Sequence, residues 1–174
     1  MSMVKIFIEA ESLNVPESKF LDSILRHIGI THDKYELMPT GGYKKLMDST
    51  GTSNVELLRA NTDAGGKNLV VFDADTTDNN GGFQKRRKEL LARRDEIGLD
   101  FDLFLWPDNN RDGDVEVLME DIARKDLYFT SLPISQTKRD KAGRGAWLWD
   151  DANIWNLDAE VMKPIKDFLF NNIK

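Results

Sequence analysis

Apolar positions along the chain follow two rhythms that take turns. Short, mostly apolar runs occur at Val4 to Ile8, Tyr35 to Met38, Leu69 to Phe72 and Phe101 to Trp106, each bounded by polar or turn-forming residues. Such runs predict strands, and the uninterrupted Leu-Val-Val-Phe run fits a strand covered on both faces. Between them the apolar residues recur at helical spacing. Phe20, Leu21, Ile24, Leu25 and Ile28 predict a helix stopped by Gly29, opened by Pro16 in its first turn and by an Asn14 to Glu17 capping box. Val55, Leu57 and Leu58 predict a second helix, capped by Ser53 and Glu56 and ended by Gly65-Gly66.

A third helix is expected from Phe83 to Ile97, and a fourth carries Leu118, Met119 and Ile122. A terminal helix runs through Leu157, Val161, Ile165, Phe168 and Leu169 with an interruption at Pro164, and Leu127 to Thr130 is a candidate fifth strand. Strand and helix in strict alternation imply a parallel sheet with right-handed crossovers. The expected fold class is therefore α/β: a central, mostly parallel four-stranded sheet flanked by helices over residues 1–125. Residues 126–174 form a C-terminal extension packed on that core within one structural domain.

The stretch Asn68 to Asp78 stands out within this pattern, because its apolar run delivers Asp73 and Asp75 and then stops. Both carboxylates lie at the C-terminal end of a sheet strand, where open α/β sheets bind ligands. Residues two apart on an extended strand point the same way, so both are expected to face one hard cation, Mg2+ or Mn2+. The alternative is that Asp, Thr and Asn simply form the polar loop after a core strand.

At 174 residues the chain is long enough for one domain with a real core, and its 40% apolar and 31% charged content is that of a globular protein. No run reaches the length of a membrane span and the first residues lack a signal-peptide pattern, so a cytoplasmic location without membrane association is expected. The absence of cysteine excludes disulfides, thiolate catalysis and cysteine zinc sites. A net charge of −6 argues against coating nucleic acid by bulk electrostatics. It does not exclude a nuclease, whose metal site is acidic by necessity. His27 and His32 lie five apart around Gly29, which is not the spacing of a metal pair on one helix.

Several loops bear on chemistry. Gly41-Gly42 after the second strand permits close backbone approach, with Lys44 beside it. The helix from Phe83 opens with Lys85, Arg86, Arg87 and Lys88, which either form a solvated face, with Glu89 pairing Arg93, or hold phosphates beside the acidic stretch. Asp108 to Glu116 carries most of a calcium-loop pattern but places Met119 where a bidentate Glu is needed, so Asp114 is expected to cap the next helix with Glu116 in its first turn. Lys138 to Gly145 is a basic loop followed by Trp147, Trp149 and Trp155, which either stack on single strands or form one buried face.

In a parallel sheet Glu9, Asp73, Asp75, and Asp114 or Glu116 converge at one edge, the cluster that phosphodiester chemistry requires. Ile8-Glu9-Ala10 ending a first strand, Gly41-Gly42 after a second and Phe72-Asp73-Ala74-Asp75 ending a third resemble the Toprim domain. That is the metal-binding module of topoisomerases, bacterial primases and the overcoming-lysogenisation-defect nucleases. The Pro107-Asp108-Asn109 loop, Asp114-Val115-Glu116 and Pro164 to Leu169 are similar to segments of small stand-alone Toprim-like proteins.

The resemblance implies a compact Rossmann-like Toprim fold and Mg2+-dependent, nuclease-like processing of nucleic acid. It makes Glu9 a general acid/base or metal ligand, and Asp73 and Asp75 the holders of Mg2+. Ala10 stands where the family usually has glycine, and no ATPase or DNA-binding domain accompanies the module, which points to a partner protein supplying recognition or ATPase function.

Two alternatives remain. Val70 to Thr77 also satisfies the first motif of haloacid-dehalogenase-like phosphatases, with Asp73 as nucleophile, and Thr130-Ser131, Lys138 or Lys141, and Asp150-Asp151 fit the later motifs. That assignment leaves the first seventy residues without a role. The second alternative is a non-catalytic module that binds nucleic acid or a partner.

Overall fold

In the computed structural model, residues 3–47, 52–122 and 155–174 are described. Four strands, β1 (Val4–Ile8), β2 (Tyr35–Pro39), β3 (Lys67–Asp73) and β4 (Asp102–Trp106), form one all-parallel sheet in the order β2-β1-β3-β4. The register pairs Ile8 with both Pro39 and Val71, and Asp73 with Trp106, so the four C-terminal ends share one edge. β1 and β3 sit in the middle and are buried almost throughout, which is why their sequences read as near-continuous apolar runs. β2 lies at an edge, is half-buried along most of its length, and ends on Pro39, which has no N–H to offer a further strand.

Six described helices cover the sheet: α1 (Pro16–His27), α2 (Tyr43–Met47), α3 (Thr52–Asp63), α4 (Phe83–Ile97), α5 (Val115–Ile122) and α6 (Lys163–Ile173). Alternation along each strand splits the core in two. Ile6, Ile8, Leu69, Val71, Phe104 and Trp106 pack with Phe20 and Ile24 of α1, Leu118 of α5, and Trp155, Leu157, Ile165 and Leu169. Phe7, Val70, Phe72, Leu103 and Leu105 face the opposite way, against Leu46, Leu58, Phe83 and Leu90 of α2, α3 and α4. Each fully buried leucine or phenylalanine contributes about 1.5–3 kcal/mol through removal from water. The segment from Trp155 belongs to the first layer, where Trp155 meets Phe20 edge-on at 5.8 Å between ring centroids.

Polar residues inside the fold are satisfied locally. Asn68, buried at the start of β3, donates to Leu58 O and Thr62 Oγ1 of α3 and accepts from Asn61 Nδ2 at 2.8 Å. That bond set anchors α3 to the base of the strand that carries Asp73.

The four main strands and the expected helices are present, α2 is a short helix that the hydrophobic pattern did not show, and the helix starts differ from it. The Asn14–Glu17 capping box does not form: Pro16 occupies the first turn of α1, Val15 is the extended N-cap residue, and no side chain caps that end. Asn14 therefore sits one position too early, and its N–H turns to Ser12 Oγ. Ser53 lies inside α3, which already begins at Thr52. Pro164 opens α6 rather than interrupting a longer helix, and a 3-10 turn at Glu160–Met162 precedes it and leaves Val161 exposed. The proposed fifth strand at 127–130, the basic loop at 138–145, and Trp147 and Trp149 lie outside the described residues. Among the described residues no helix is long and apolar enough to cross a membrane.

Candidate functional site

Glu9 is the first residue beyond β1 and ties three chain segments together. Its Oε1 accepts the N–H of Tyr43 at 2.9 Å, and its Oε2 accepts the N–H of Asp73 at 3.3 Å. Tyr43 is brought there by a sharp fold-back. Thr40 N and Oγ1 both donate to Ile8 O, Gly41 N donates to Ala10 O at 2.8 Å, and Gly41 and Gly42 take φ of 73° and 111°. Only glycine adopts such angles without steric cost. Burial raises the Glu9 carboxyl above the usual range, and the Asp75 charge adds to this, while the two N–H bonds and Arg86 pull the other way.

Asp73 is the last residue of β3, and its Oδ1 accepts the N–H of Val115, the first residue of α5, at 3.1 Å. Asp114 caps that helix, accepting Val117 N at 3.2 Å, as its sequence position predicted. Burial, together with the charges of Glu9, Asp114 and Asp75, pushes the Asp73 carboxyl up to about 8 against the opposing Val115 bond. Asp73 thus holds its proton more tightly than an exposed aspartate does. Glu116 lies buried in the first turn of α5 and is not among the leading charges acting on Asp73.

Asp75 corrects the geometry expected from the sequence. The extended backbone stops at Asp73, and Asp75 adopts a left-handed φ of 58°, so the rule that residues two apart share a direction no longer applies. Its carbonyl accepts Gly113 N at 2.9 Å in an isolated antiparallel bridge. Gly81 packs against it so closely that a Cβ there would lie 2.3 Å from Asp75 Cβ. The outcome is that Asp73 bonds to α5, whereas Asp75 Oδ2 accepts Arg86 Nη2 of α4 at 2.6 Å.

The basic start of α4 divides. Arg86 lies over the Tyr43 ring at 3.7 Å, and Tyr43 Oη donates to Glu89 at 2.5 Å, with its phenol pushed up to about 12 by burial and by Glu89. Lys85 donates to Asn80 O and Oδ1. Arg87 is half-buried and stands apart from the other two, and Lys88 is exposed. The expected Glu89–Arg93 pair does not form, because Glu89 is taken by Tyr43 while buried Arg93 bonds Leu46 O and Glu96.

A cleft of about 550 Å3 opens beside this network, lined by Glu9, Gly41 to Lys44, Asn79, Asn80, Lys85, Arg86 and Glu89. The sequence-predicted residues Gly41, Gly42, Lys44, Lys85 and Arg86 therefore meet in one place, with Arg87 outside it. Tyr43, Asn79, Asn80 and Glu89 escaped sequence reasoning. Tyr43 had a signal, since it directly follows the glycine pair, whereas Glu89 had none.

The calcium-like loop is turned inward on its own chain. Asp108 accepts the N–H groups of Asn110 and Arg111 and pairs with Arg111 Nε at 2.8 Å, and Asn109 Oδ1 accepts Leu105 N. Asp112 Oδ1 accepts Phe83 N at 2.7 Å, capping α4 from another segment because Gly82 at the N-cap has no side chain to do so. Among the described residues no group of three or more histidine, aspartate or glutamate side chains stands arranged to hold a metal ion. Comparison of the chain with protein-family models, with curated proteins and with solved structures gives no match.

Proposed function

We propose that the chain is a Toprim-like, metal-dependent enzyme that processes phosphodiester bonds of nucleic acid, nuclease-like, at the C-terminal edge of its sheet. The observation that carries this reading is the double acceptance by Glu9 of the N–H groups of Tyr43 and Asp73, which holds the carboxylate after β1 against the end of β3. A phosphatase using Asp73 as nucleophile has no need of that residue.

The donor chemistry suits a hard divalent cation, because Asp73, Asp75 and Asp114 offer carboxylate oxygens and the charges of Asp75 and Asp114 both act on Asp73, and a shared ion requires Asp75 to turn away from Arg86. Asp73 and Asp75 would hold Mg2+ or Mn2+, with Asp114 or Glu116 in support. A bound ion there would supply neutralisation of the charge that develops on the phosphoryl oxygens. Glu9, raised by burial, exchanges a proton nearer neutral pH than an exposed glutamate does and is suited to general acid/base work. Lys44, Lys85 and Arg86 line the adjoining cleft and suit the strand's phosphates, with Gly41 and Gly42 allowing the backbone to come close. A partner protein supplying recognition or ATPase function remains part of the proposal.

The test is cleavage of single- and double-stranded DNA and RNA in Mg2+ or Mn2+ by the purified chain. Glu9→Gln and Asp73→Asn are each expected to lower the rate by roughly a hundredfold or more. A covalent aspartyl-phosphate on Asp73 would replace this reading with the phosphatase one. Binding without turnover of any substrate would leave a non-catalytic module.

A further inference from the structure

Arg86 is used incompletely where it stands. Its guanidinium makes one bond to Asp75, Nη2 to Oδ2, and lies over Tyr43 at 3.7 Å. Its side chain is 12% exposed, yet its Nε is a buried donor with no hydrogen-bond partner among the described residues. A guanidinium carries five donors in a planar fork and binds carboxylate or phosphate best through two of them, so the contact with Asp75 is the weaker, single-pronged kind. A buried donor without an acceptor is unfavourable, so the side chain carries a cost in this setting that a shift toward new acceptor oxygens would relieve.

The surroundings define which acceptor suits. Arg86 borders the 550 Å3 cleft together with Lys44, which has no ion pair among the described residues, and Lys85, which among them bonds Asn80. The two acids of the cleft are already engaged, Glu9 by two backbone N–H groups and Glu89 by the Tyr43 hydroxyl. Three cations and two amide side chains around engaged carboxylates fit an anion with several oxygens. The backbone of Asp75, in turn, is held by its left-handed turn, by the Gly113 bridge and by Gly81, so the residue keeps its position when Arg86 leaves its carboxylate.

We propose that Arg86 is a positioning residue that exchanges Asp75 for a phosphate oxygen of a strand entering the cleft, freeing the Asp75 carboxylate beside Glu9 and Asp73. This rests on the phosphodiester reading and adds an order to it: the strand's phosphate unlocks a carboxylate that the free chain keeps neutralised. Phosphate and Asp75 then compete for one guanidinium, and such coupling is reciprocal. Removing Asp75 strengthens phosphate binding, and removing Arg86 strengthens cation binding at the carboxylates.

The experiment is a calorimetric titration of a 5′-phosphorylated thymidine trinucleotide into the metal-free protein. Asp75→Asn keeps the shape of the side chain and tolerates the left-handed backbone. It is expected to bind the trinucleotide about tenfold more tightly than the unmodified chain, within the usual range of such couplings. Arg86→Gln is expected to bind about tenfold more weakly and Arg86→Lys to lie between. Mn2+ titrated alone should bind several-fold more tightly to Arg86→Gln than to the unmodified chain. Thermal unfolding checks that each variant is folded, and Asp75→Gly, which suits the same backbone, stands in if the Asn variant is not. Trinucleotide binding to the Asp75 variants that is equal or weaker, or absent from every form, overturns the exchange. Coupling without metal-dependent cleavage removes the nuclease reading alone, and cleavage without coupling removes the exchange alone.

Discussion

Two acidic loops flank the same sheet edge, and composition does not tell them apart. The loop after β4 holds Asp108, Asp112 and Asp114, and the other group holds Glu9, Asp73 and Asp75. In the first, Asp108 is matched by two N–H groups and Arg111, which also reaches Asp121, and Asp112 is matched by the N-terminus of α4. In the second, Glu9 accepts two N–H groups and Asp73 one, as many as Asp108 and Asp112 accept, but both lie buried against one another, and the nearby cation Arg86 bonds Asp75 instead. The carboxyls of Glu9 and Asp73 rise accordingly. What separates the two groups is therefore burial without a paired cation rather than the number of acids or of N–H partners, because a buried charge without a counter-charge is costly and a ligand relieves it.

The contrast can be broken most decisively by pH. Burial pushes the Asp73 carboxyl from an ordinary value of 3.8 up to about 8, so between the two the folded state favours a proton that the unfolded state releases. Its contribution to stability is full below the ordinary value and is lost as pH rises through about 8. The melting temperature is expected to fall by several degrees between pH 5 and pH 9. Asp73→Asn, which keeps an oxygen for the Val115 N–H, should flatten much of that slope and melt above the unmodified chain at the alkaline end.

A second, smaller effect lies in the satisfied loop. Asp112→Ala removes the side-chain cap on Phe83 N and should cost about 1 kcal/mol, seen as a drop of about 2–4 °C in melting temperature at any pH above the carboxylate range. The smallest effect is expected at Arg111→Ala. Its pairs with Asp108 and Asp121 are solvent-exposed, and the loss should stay below about 1 kcal/mol by chemical denaturation. A larger loss at Arg111 than at Asp112 would mean that the loop is held by its ion pairs and that the contrast is misdrawn.

The sheet was legible because β1, β3 and β4 are apolar runs of strand length between helical patterns, and parallel topology follows from that alternation. Helix starts were less legible, since a capping box is a local pattern and Pro16 moved the start of α1 by one residue. At the site, Glu9 and Asp73 were found from their place at strand ends. The direction of Asp75 was not, because a left-handed residue depends on Gly81 and Gly113, which reach it from six and thirty-eight positions away. The partners Glu89 and Asp112 are likewise tertiary, brought in by α4 and by the loop before α5.

Gly81 carries one more consequence. A methyl group at that position would lie 2.3 Å from Asp75 Cβ and 2.8 Å from the carbonyl oxygen of Ala74. The course of the backbone that presents Asp75 thus depends on a residue with no functional group at all. A map of tolerated substitutions across this chain would accordingly show its sharpest holes beside the acids as well as at them, and Gly81 would score as a functional residue in a survey blind to chemistry.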